Sequence, residues 1–410
     1  MALQYSTAAL LPWLFCFVFV GPLPLSLLCE ANASSLVAPA SGAADAATAG
    51  ATTAEPLSPL GAQFSNPAGL AGFTERTMGT GLGLAYGRGE VTSEAIGYNA
   101  SNEVLVPFLD SFLIVPMDRW TFGIGTMGTS GARFDYGPRP KAGIDDGFFS
   151  ETGVIGLPIS AGYRAMDKLW LGAELIVLYG STHLRYSQEV AEFPGESTPF
   201  HYSVEGFGVQ GMFGVTWKPT DSWSIGLAAK PPGRVWASGD SKLGSGKQDV
   251  DLELEIPAEV ALGITRSLFE RWRVSYSLRF TDTSVFETSW IRYQETPSAN
   301  HSFLGAAQDE WRHAIGLEYA WSERLELLAG FAKANSIVGR KGVSPMSYDC
   351  KDFRLNTGLH WTGDAWTLDG SFGYIFSGTR NISEDDAKIF PGKFESKPAY
   401  LLSITVSKKF

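Results

Sequence analysis

The sequence predicts an all-β chain, a closed barrel of roughly fourteen antiparallel membrane-crossing strands. Three observations carry this. From about Gly79 onward the residues alternate with period two, which gives each segment two unlike faces. Short and long connections between those segments alternate strictly along the chain. Aromatic residues gather at segment ends, the level of a bilayer interface.

The chain opens on an apolar run, Ala8 to Leu28, followed by Ala31-Asn32-Ala33, a small-x-small cleavage site. Residues 1–33 therefore read as an export signal, with only the terminal amine for positive charge. The alternative is an uncleaved anchor, against which Pro12, Pro22 and Pro24 argue. Cys29 follows Leu-Leu, a poor lipoprotein processing site. Cleavage after Ala33 removes Cys16 and Cys29 and leaves Cys350 alone, so no intramolecular disulfide is expected. Residues 34–63 are rich in Ala, Ser, Thr and Gly and by themselves read as a flexible leader. Phe64 to Phe73, "FSNPAGLAGF", is a short semi-apolar stretch with an Asn66-Pro67 turn signal. No later segment has a run long enough for a membrane helix.

The strand segments then follow: 79–89, 104–115, 119–129, 151–164, 168–187, 200–218, 222–237, 249–266, 271–287, 309–321, 324–337, 352–362, 365–378 and 399–410. In the clearest, Trp311, His313, Ile315, Leu317, Tyr319 and Trp321 share one face. Arg312, Ala314, Gly316, Glu318 and Ala320 share the other. The segments around Trp272–Phe280 and Trp366–Phe376 repeat the pattern. Aromatics suit lipid and its interface, and small or charged residues suit a polar lumen. Tight turns fall at Pro116-Met117-Asp118, Ala165-Met166-Asp167, Pro219-Thr220-Asp221, Ser322-Glu323 and Gly363-Asp364, with Ser267–Glu270 slightly longer. Between them lie long polar stretches: 90–103, 130–150, 188–199, 238–248, 288–308, 338–351 and 379–398. Outer-membrane barrels pair short periplasmic turns with long outer loops, whereas a soluble sandwich or propeller has no reason to. The last strand, "YLLSITVSKKF", ends on Phe410, although Lys408 breaks its apolar register.

Composition limits the chemistry. Charged residues are 18% and aromatics 13%, which suits a β protein with a large apolar surface. A formal net charge of −11 argues against nucleic acid as a partner. The five His show no metal spacing. "GTGLGLAYG" (79–87) lies on a strand, not at a strand-to-helix turn, so it is no nucleotide loop. An outer-membrane lipase would need a Ser–His–Asp set that the sequence does not offer. No cofactor, metal or catalytic residue is expected, and the chain does not read as an enzyme.

Arg273, Arg279, Arg312 and Arg354 lie opposite their strands' apolar stripes and should point inward, because a lipid-facing charge at the midplane costs about 2–4 kcal/mol. Glu174, Glu318 and Asp369 also point inward. The arginines either brace the lumen as ion pairs or await a ligand carboxylate. Apolar residues in the outer connections (Phe134, Tyr136, Phe148 and Phe149 in one, Trp290, Ile291, Phe303 and Leu304 in another) either capture an apolar solute or pack on each other.

"SGAADAATAGATTAEPLSPLGAQFSNPAGLAGF" (41–73), with Asn66-Pro67-Ala68 before the first strand, resembles the N-terminal segment of the FadL/TodX family of outer-membrane transporters for long-chain fatty acids and hydrocarbons. "PAEVALGITRSLFERWRVSYSLRFTDTSVFETSW" (257–290), "WRHAIGLEYAWSERLELLAGFA" (311–332) and "FRLNTGLHWTGDAWTLDGSFGYIFSG" (353–378) fit it as well. After the export signal (1–33), the resemblance implies a hatch (34–77) folded inside the lumen and a fourteen-stranded barrel (78–410). Phe64, Asn66, Pro67, Ala68, Gly69, Leu70 and Phe73 become hatch or gate residues. It implies passive uptake of a hydrophobic small molecule, a long-chain fatty acid or else an aromatic or alkane hydrocarbon. Arg273, Arg279, Arg312, Arg354, Phe148, Phe149, Trp290 and Phe303 are candidates to bind it. Rivals of another class are a general porin and a structural or adhesive surface barrel. Expected partners are the ligand, outer-membrane lipid and the assembly machinery, with the chain a monomer.

Overall fold

The computed structural model describes residues 40–94, 97–136, 147–189, 197–243, 246–302, 306–345, 348–385 and 391–410. The expected signal segment 1–33 and Phe303 lie outside the described residues.

Fourteen antiparallel strands close into a barrel. They are β1 (Thr77–Ser93), β2 (Tyr98–Met117), β3 (Trp120–Tyr136), β4 (Phe148–Met166), β5 (Leu169–Glu189) and β6 (Ser197–Thr220). β7 runs in two parts, Trp223–Lys230 and Gly233–Leu243, and β8 in two, Gly246–Ile256 and Glu259–Leu268. β9 (Trp272–Thr281), β10 (Glu310–Ala320), β11 (Leu325–Ala334), β12 (Asp352–Thr362), β13 (Trp366–Ile375) and β14 (Ala399–Lys409) follow. Each strand pairs with its neighbour in sequence, and β14 closes on β1 from Thr77↔Lys409 to Tyr86↔Tyr400.

The period-two pattern decides which face meets lipid. On β10 Trp311 is 49% exposed while Arg312, Ala314 and Glu318 are buried. Trp120, Trp217, Trp223, Trp272, Trp321, Trp366 and Phe410 form an exposed aromatic belt at the short-turn end. Phe207, Trp236, Trp311, Phe376 and Tyr400 do so nearer the loop end. His313 stands on the lipid face, where its Nδ1 bonds the Tyr276 hydroxyl at 2.8 Å.

Two expected loops are strand. Stretches 90–103 and 238–248 were expected as long polar connections, but β1 runs on to Ser93 and β2 begins at Tyr98. Likewise β7 continues to Leu243 and β8 resumes at Gly246. Val91, Ser93, Tyr98 and Ala100 keep the inward alternation, and the polar residues between them face out. Their polarity marks a strand face beyond the bilayer, not a loop. Expected strand 271–287 ends at Thr281, followed by a 3₁₀ turn, Thr283–Glu287.

The leader is not a solvated linker from Ala40 on. Residues 40–72 lie inside the barrel and are mostly buried. They form α1 (Ala43–Ala47), α2 (Pro59–Ser65) and a 3₁₀ turn, Pro67–Gly72. Small residues serve close packing here rather than solvation. A Cβ at wall residue Gly172 would overlap the backbone of Pro67 and Ala68, and one at Gly226 that of Thr53 and Ala54. Only glycine lets the two chains approach so closely. Ser58 caps α2, accepting from the Gly61 N–H at 3.0 Å, and Asn66 caps the 3₁₀ turn, accepting from the Ala68 N–H at 3.1 Å.

Candidate functional site

Above this lumenal segment the interior becomes apolar. Val154, Ile176, Leu178, Val235, Leu252 and Leu254 project inward from β4, β5, β7 and β8 into one continuous cluster. Its roof comes from the connections: Ile337, Val338, Val343 and Tyr348 between β11 and β12, with Ile382 and Phe394 between β13 and β14. Asp349 pins the roof. It accepts from the N–H groups of Ile337 (2.6 Å) and Val338 (3.2 Å), the Ser336 hydroxyl (2.5 Å) and Arg380 Nη1 (3.2 Å). Burial pushes its carboxyl up to about 6 in spite of those donors.

The floor is Phe64 of α2. Lys230 Nζ lies 4.8 Å from its ring centroid and Arg279 Cζ 5.4 Å, so one ring of the lumenal segment faces two wall cations. Glu259 is shared by both, at 3.2 Å from Lys230 Nζ and 3.5 Å from Arg279 Nε. Among the described residues, Arg279 Nη1 and Glu174 Oε1 are buried with no hydrogen-bond partner.

The other three arginines are engaged. Arg312 bonds Glu310 (Nε, 3.1 Å) and Asp352 (Nη1, 2.8 Å), and Arg354 also bonds Asp352 (Nε to Oδ1, 3.1 Å). Arg273 Nε donates to Glu318 at 2.7 Å, and its Nη1 lies 3.7 Å from Glu55 of the lumenal segment. Lys218 also holds Glu55, at 2.6 Å. These groups brace the wall or tie the segment to it. Phe148 packs against the apolar cluster. Phe149 sits between the guanidinium groups of Arg133 (5.3 Å) and Arg185 (5.5 Å). Trp290 is 43% exposed on a short strand that pairs with β8, so it does not line the chamber.

The residues expected to form a hatch are mostly inside the barrel. Asn66, Pro67, Ala68, Gly69 and Leu70 are buried, Leu70 packs with Ala62 and Ile114, and Phe73 borders that cluster. Asn66 Nδ2 donates to the Thr53 carbonyl (2.7 Å) and to Thr216 Oγ1 (3.1 Å), joining the segment to β6. Sequence reasoning missed Lys230, Glu259 and the apolar lining. In "DVDLELEI" the carboxylates occupy one face and Val250, Leu252, Leu254 and Ile256 the other. Above the membrane the charged face takes the water, which leaves the apolar face inside.

The wall also has a gap. β2 pairs with β3 from Met117↔Trp120 to Ser111↔Thr126 and then only at Asn102↔Tyr136. β2 residues 103–110 therefore have no β3 partner. A register shift between Gly128 and Ser130, against β4, bends β3 at this level. Pro107, within the unpaired stretch, has no N–H to offer a ladder. Side chains cover the edges. Asp110 accepts from the Gly128 N–H and from the Ser41 hydroxyl (3.1 Å), and Asn102 Oδ1 from the Asp135 N–H (2.7 Å).

An apolar chamber thus lies above the lumenal segment, beside a break in the wall. The family model described as outer membrane protein transport protein (OMPP1/FadL/TodX) matches residues 26–410. The chain is similar to the solved structure of a FadL homologue of Pseudomonas aeruginosa, at 17% identity and TM-score 0.80, covering 92% of this chain and 100% of that one. It is similar to the toluene transporter TodX of Pseudomonas putida at 19% identity and TM-score 0.75, covering 92% and 100%. It is similar to the toluene transporter TbuX of Ralstonia pickettii at 19% identity and TM-score 0.71, covering 91% and 99%. No curated protein matches the chain in sequence. The structural likenesses carry the fold and the family model carries the kinship. The chain belongs to the OMPP1/FadL/TodX family of outer-membrane transport proteins.

Proposed function

We propose that this chain is a passive channel for hydrophobic compounds, that its preferred ligand is a long-chain fatty acid, and that residues 40–73 are its hatch. The observation that carries the ligand class is the chamber's floor. An apolar tail gains about 0.8 kcal/mol for each CH₂ it buries. A carboxylate at the tail's end would accept from Arg279 Nη1, which lacks a partner, and from Lys230 Nζ. It would compete there with the Phe64 ring for the same two cations. Phe64 belongs to the hatch, so ligand binding and hatch docking oppose each other, and this opposition is the gate. Release follows sideways, through the unpaired stretch between β2 and β3 into the bilayer.

A second reading is an aromatic or alkane hydrocarbon. It is favoured by Glu259, which already balances one of the floor's two cations, so the chamber does not depend on a charged ligand. Uptake of a labelled long-chain fatty acid and of labelled toluene, in Gram-negative cells stripped of their own transporter, separates the two. Arg279→Met should lower fatty-acid uptake about tenfold, the loss of one charge-assisted hydrogen bond. It should leave toluene uptake unchanged. Equal loss of both ligands would remove the carboxylate role. An inserted protein that moves neither would remove the transport reading, and large ion conductance would favour a porin.

A further inference from the structure

The wall is broken a second time, beside the cationic floor. The β6–β7 ladder stops at Phe213↔Ala229 and resumes at Val209↔Arg234. The β7–β8 ladder stops at Lys230↔Glu259 and resumes at Gly233↔Ile256. Pro231, Pro232 and Pro257 occupy the break, and none has an N–H to give a neighbouring strand. One side chain bridges it. Gln210 Nε2 donates to the carbonyls of Pro231 and Pro257, each at 3.0 Å. Gln210 is buried and projects inward from β6, as does Met212. Outside, Val209, Phe213, Trp236 and Val260 are exposed, and the Arg234–Glu255 ion pair closes the loop-side edge of the break. Inside, Lys230 and Glu259 are the residues that flank the break.

A polar amide at this depth has a specific use. Carbonyls at membrane depth need a donor, because lipid offers none. A ladder would satisfy them permanently, whereas a side chain satisfies them in one rotamer only. The β2–β3 gap has no such bridging side chain between two strands' carbonyls among its described contacts.

We propose that this break is a second lateral opening between lumen and bilayer, distinct from the β2–β3 gap, and that Gln210 is its latch. Turning the amide away frees the two carbonyls and opens a slot beside the floor cations. The slot would span the two positions Pro231 and Pro232 and would pass an apolar chain from the chamber. The inference rests on the chamber being a ligand site, but its test does not.

The test is reach from the lipid side. The full chain carries C16S, C29S and C350S, with M212C as the only thiol, and is reconstituted in phospholipid vesicles. A fraction of the phospholipid bears a maleimide at the end of one acyl chain, so the probe stays in the bilayer. With Gln210 in place, labelling of the M212C thiol should be slow. Gln210→Ala should raise its rate at least about tenfold, equivalent to about 1.4 kcal/mol of lost latch. Gln210→Met keeps the length of the side chain but offers no donor, and should do the same. V209C, on the lipid face, should label fast in every background, and retained heat-modifiable mobility on gels shows that each barrel is folded. An unchanged M212C rate in both folded variants, with V209C labelled, would overturn the latch. The labelling uses no transported solute, so it stands or falls apart from the transport reading.

Discussion

The two sides of the barrel solve the interior differently. β2 to β8 carry Val, Ile, Leu and Phe inward above the hatch, and their strands extend well beyond the bilayer. β9 to β14 are shorter, 10 or 11 residues each, and carry Ser, Thr, Asn and ion pairs inward. Both breaks lie in the apolar side. The ionic side has unbroken ladders from β9 round to β14. A wall of hydrogen-bonded charges must keep its geometry, since moving one partner strands the other in a dry interior. An apolar wall loses little when it shifts. The contrast suggests that the ionic side is a rigid back against which the hatch and the apolar side move.

The largest effect should come from breaking the rigid side. Asp352 is buried and takes hydrogen bonds from both Arg312 and Arg354. Asp352→Ala leaves two buried guanidinium groups with Glu310 as their one remaining hydrogen-bonded carboxylate among the described residues. Removing one partner of a buried pair costs about 3–5 kcal/mol. Urea unfolding of the barrel in lipid vesicles, followed by tryptophan emission, should show a loss of that size. A loss below about 1 kcal/mol, the size of an exposed pair, would mean that this side is not rigid.

The hatch, between the two sides, gives the next effect. Asp45 on α1 is buried and accepts from the Leu57 N–H (3.0 Å) and the Ser58 hydroxyl (2.5 Å). Burial nevertheless pushes its carboxyl up from 3.8 to about 7, and nearby Asp369 adds to the rise. The folded value lies above the ordinary one. Stability from the neutral acid is therefore fully present below 3.8 and is lost as the pH rises through about 7. Protease cleavage of the hatch should accelerate between about pH 5 and pH 8, and Asp45→Asn should flatten that profile. A flat profile in the unaltered chain would show that the hatch is held without Asp45.

Some of this was legible in the sequence. Alternation found the strands because lipid outside and lumen inside select opposite residue types on a two-residue period. The pairs Glu310–Arg312 and Asp352–Arg354 were half legible, since residues two apart on a strand share a face. The breaks had a signal that alternation overrode: Pro231-Pro232 and Pro257 stood inside expected strands 222–237 and 249–266. Proline in a central strand argues against a continuous ladder. Phe64 over Lys230 and Arg279 had no signal at all. Residues more than 160 positions apart meet there only because the chain's start is folded inside the barrel it begins.

Hatch docking itself tests how closely the apolar side must follow the plug. Gly172 of β5 has no room for a Cβ against Pro67 and Ala68. Gly172→Ala should cost about 1–3 kcal/mol of docking, as overpacked cores do. It should raise ion conductance in planar bilayers without unfolding the barrel. Unchanged conductance would mean that β5 yields with the hatch.

The smallest effect concerns the chamber alone. Leu254 projects inward from β8 and belongs to the apolar cluster. Leu254→Asn keeps the side-chain volume close and replaces apolar contact with an amide. A change of that kind in an apolar pocket is worth about 1–3 kcal/mol to a bound ligand, or roughly 10–200-fold in affinity. Barrel stability should move far less than with Asp352→Ala, because this side tolerates rearrangement. Fatty-acid binding by fluorescence quenching should weaken, while the urea midpoint stays near that of the unaltered chain. If the two losses were instead equal, the apolar side would be held to a single geometry just like the ionic side, and the contrast between them would not describe how the channel moves.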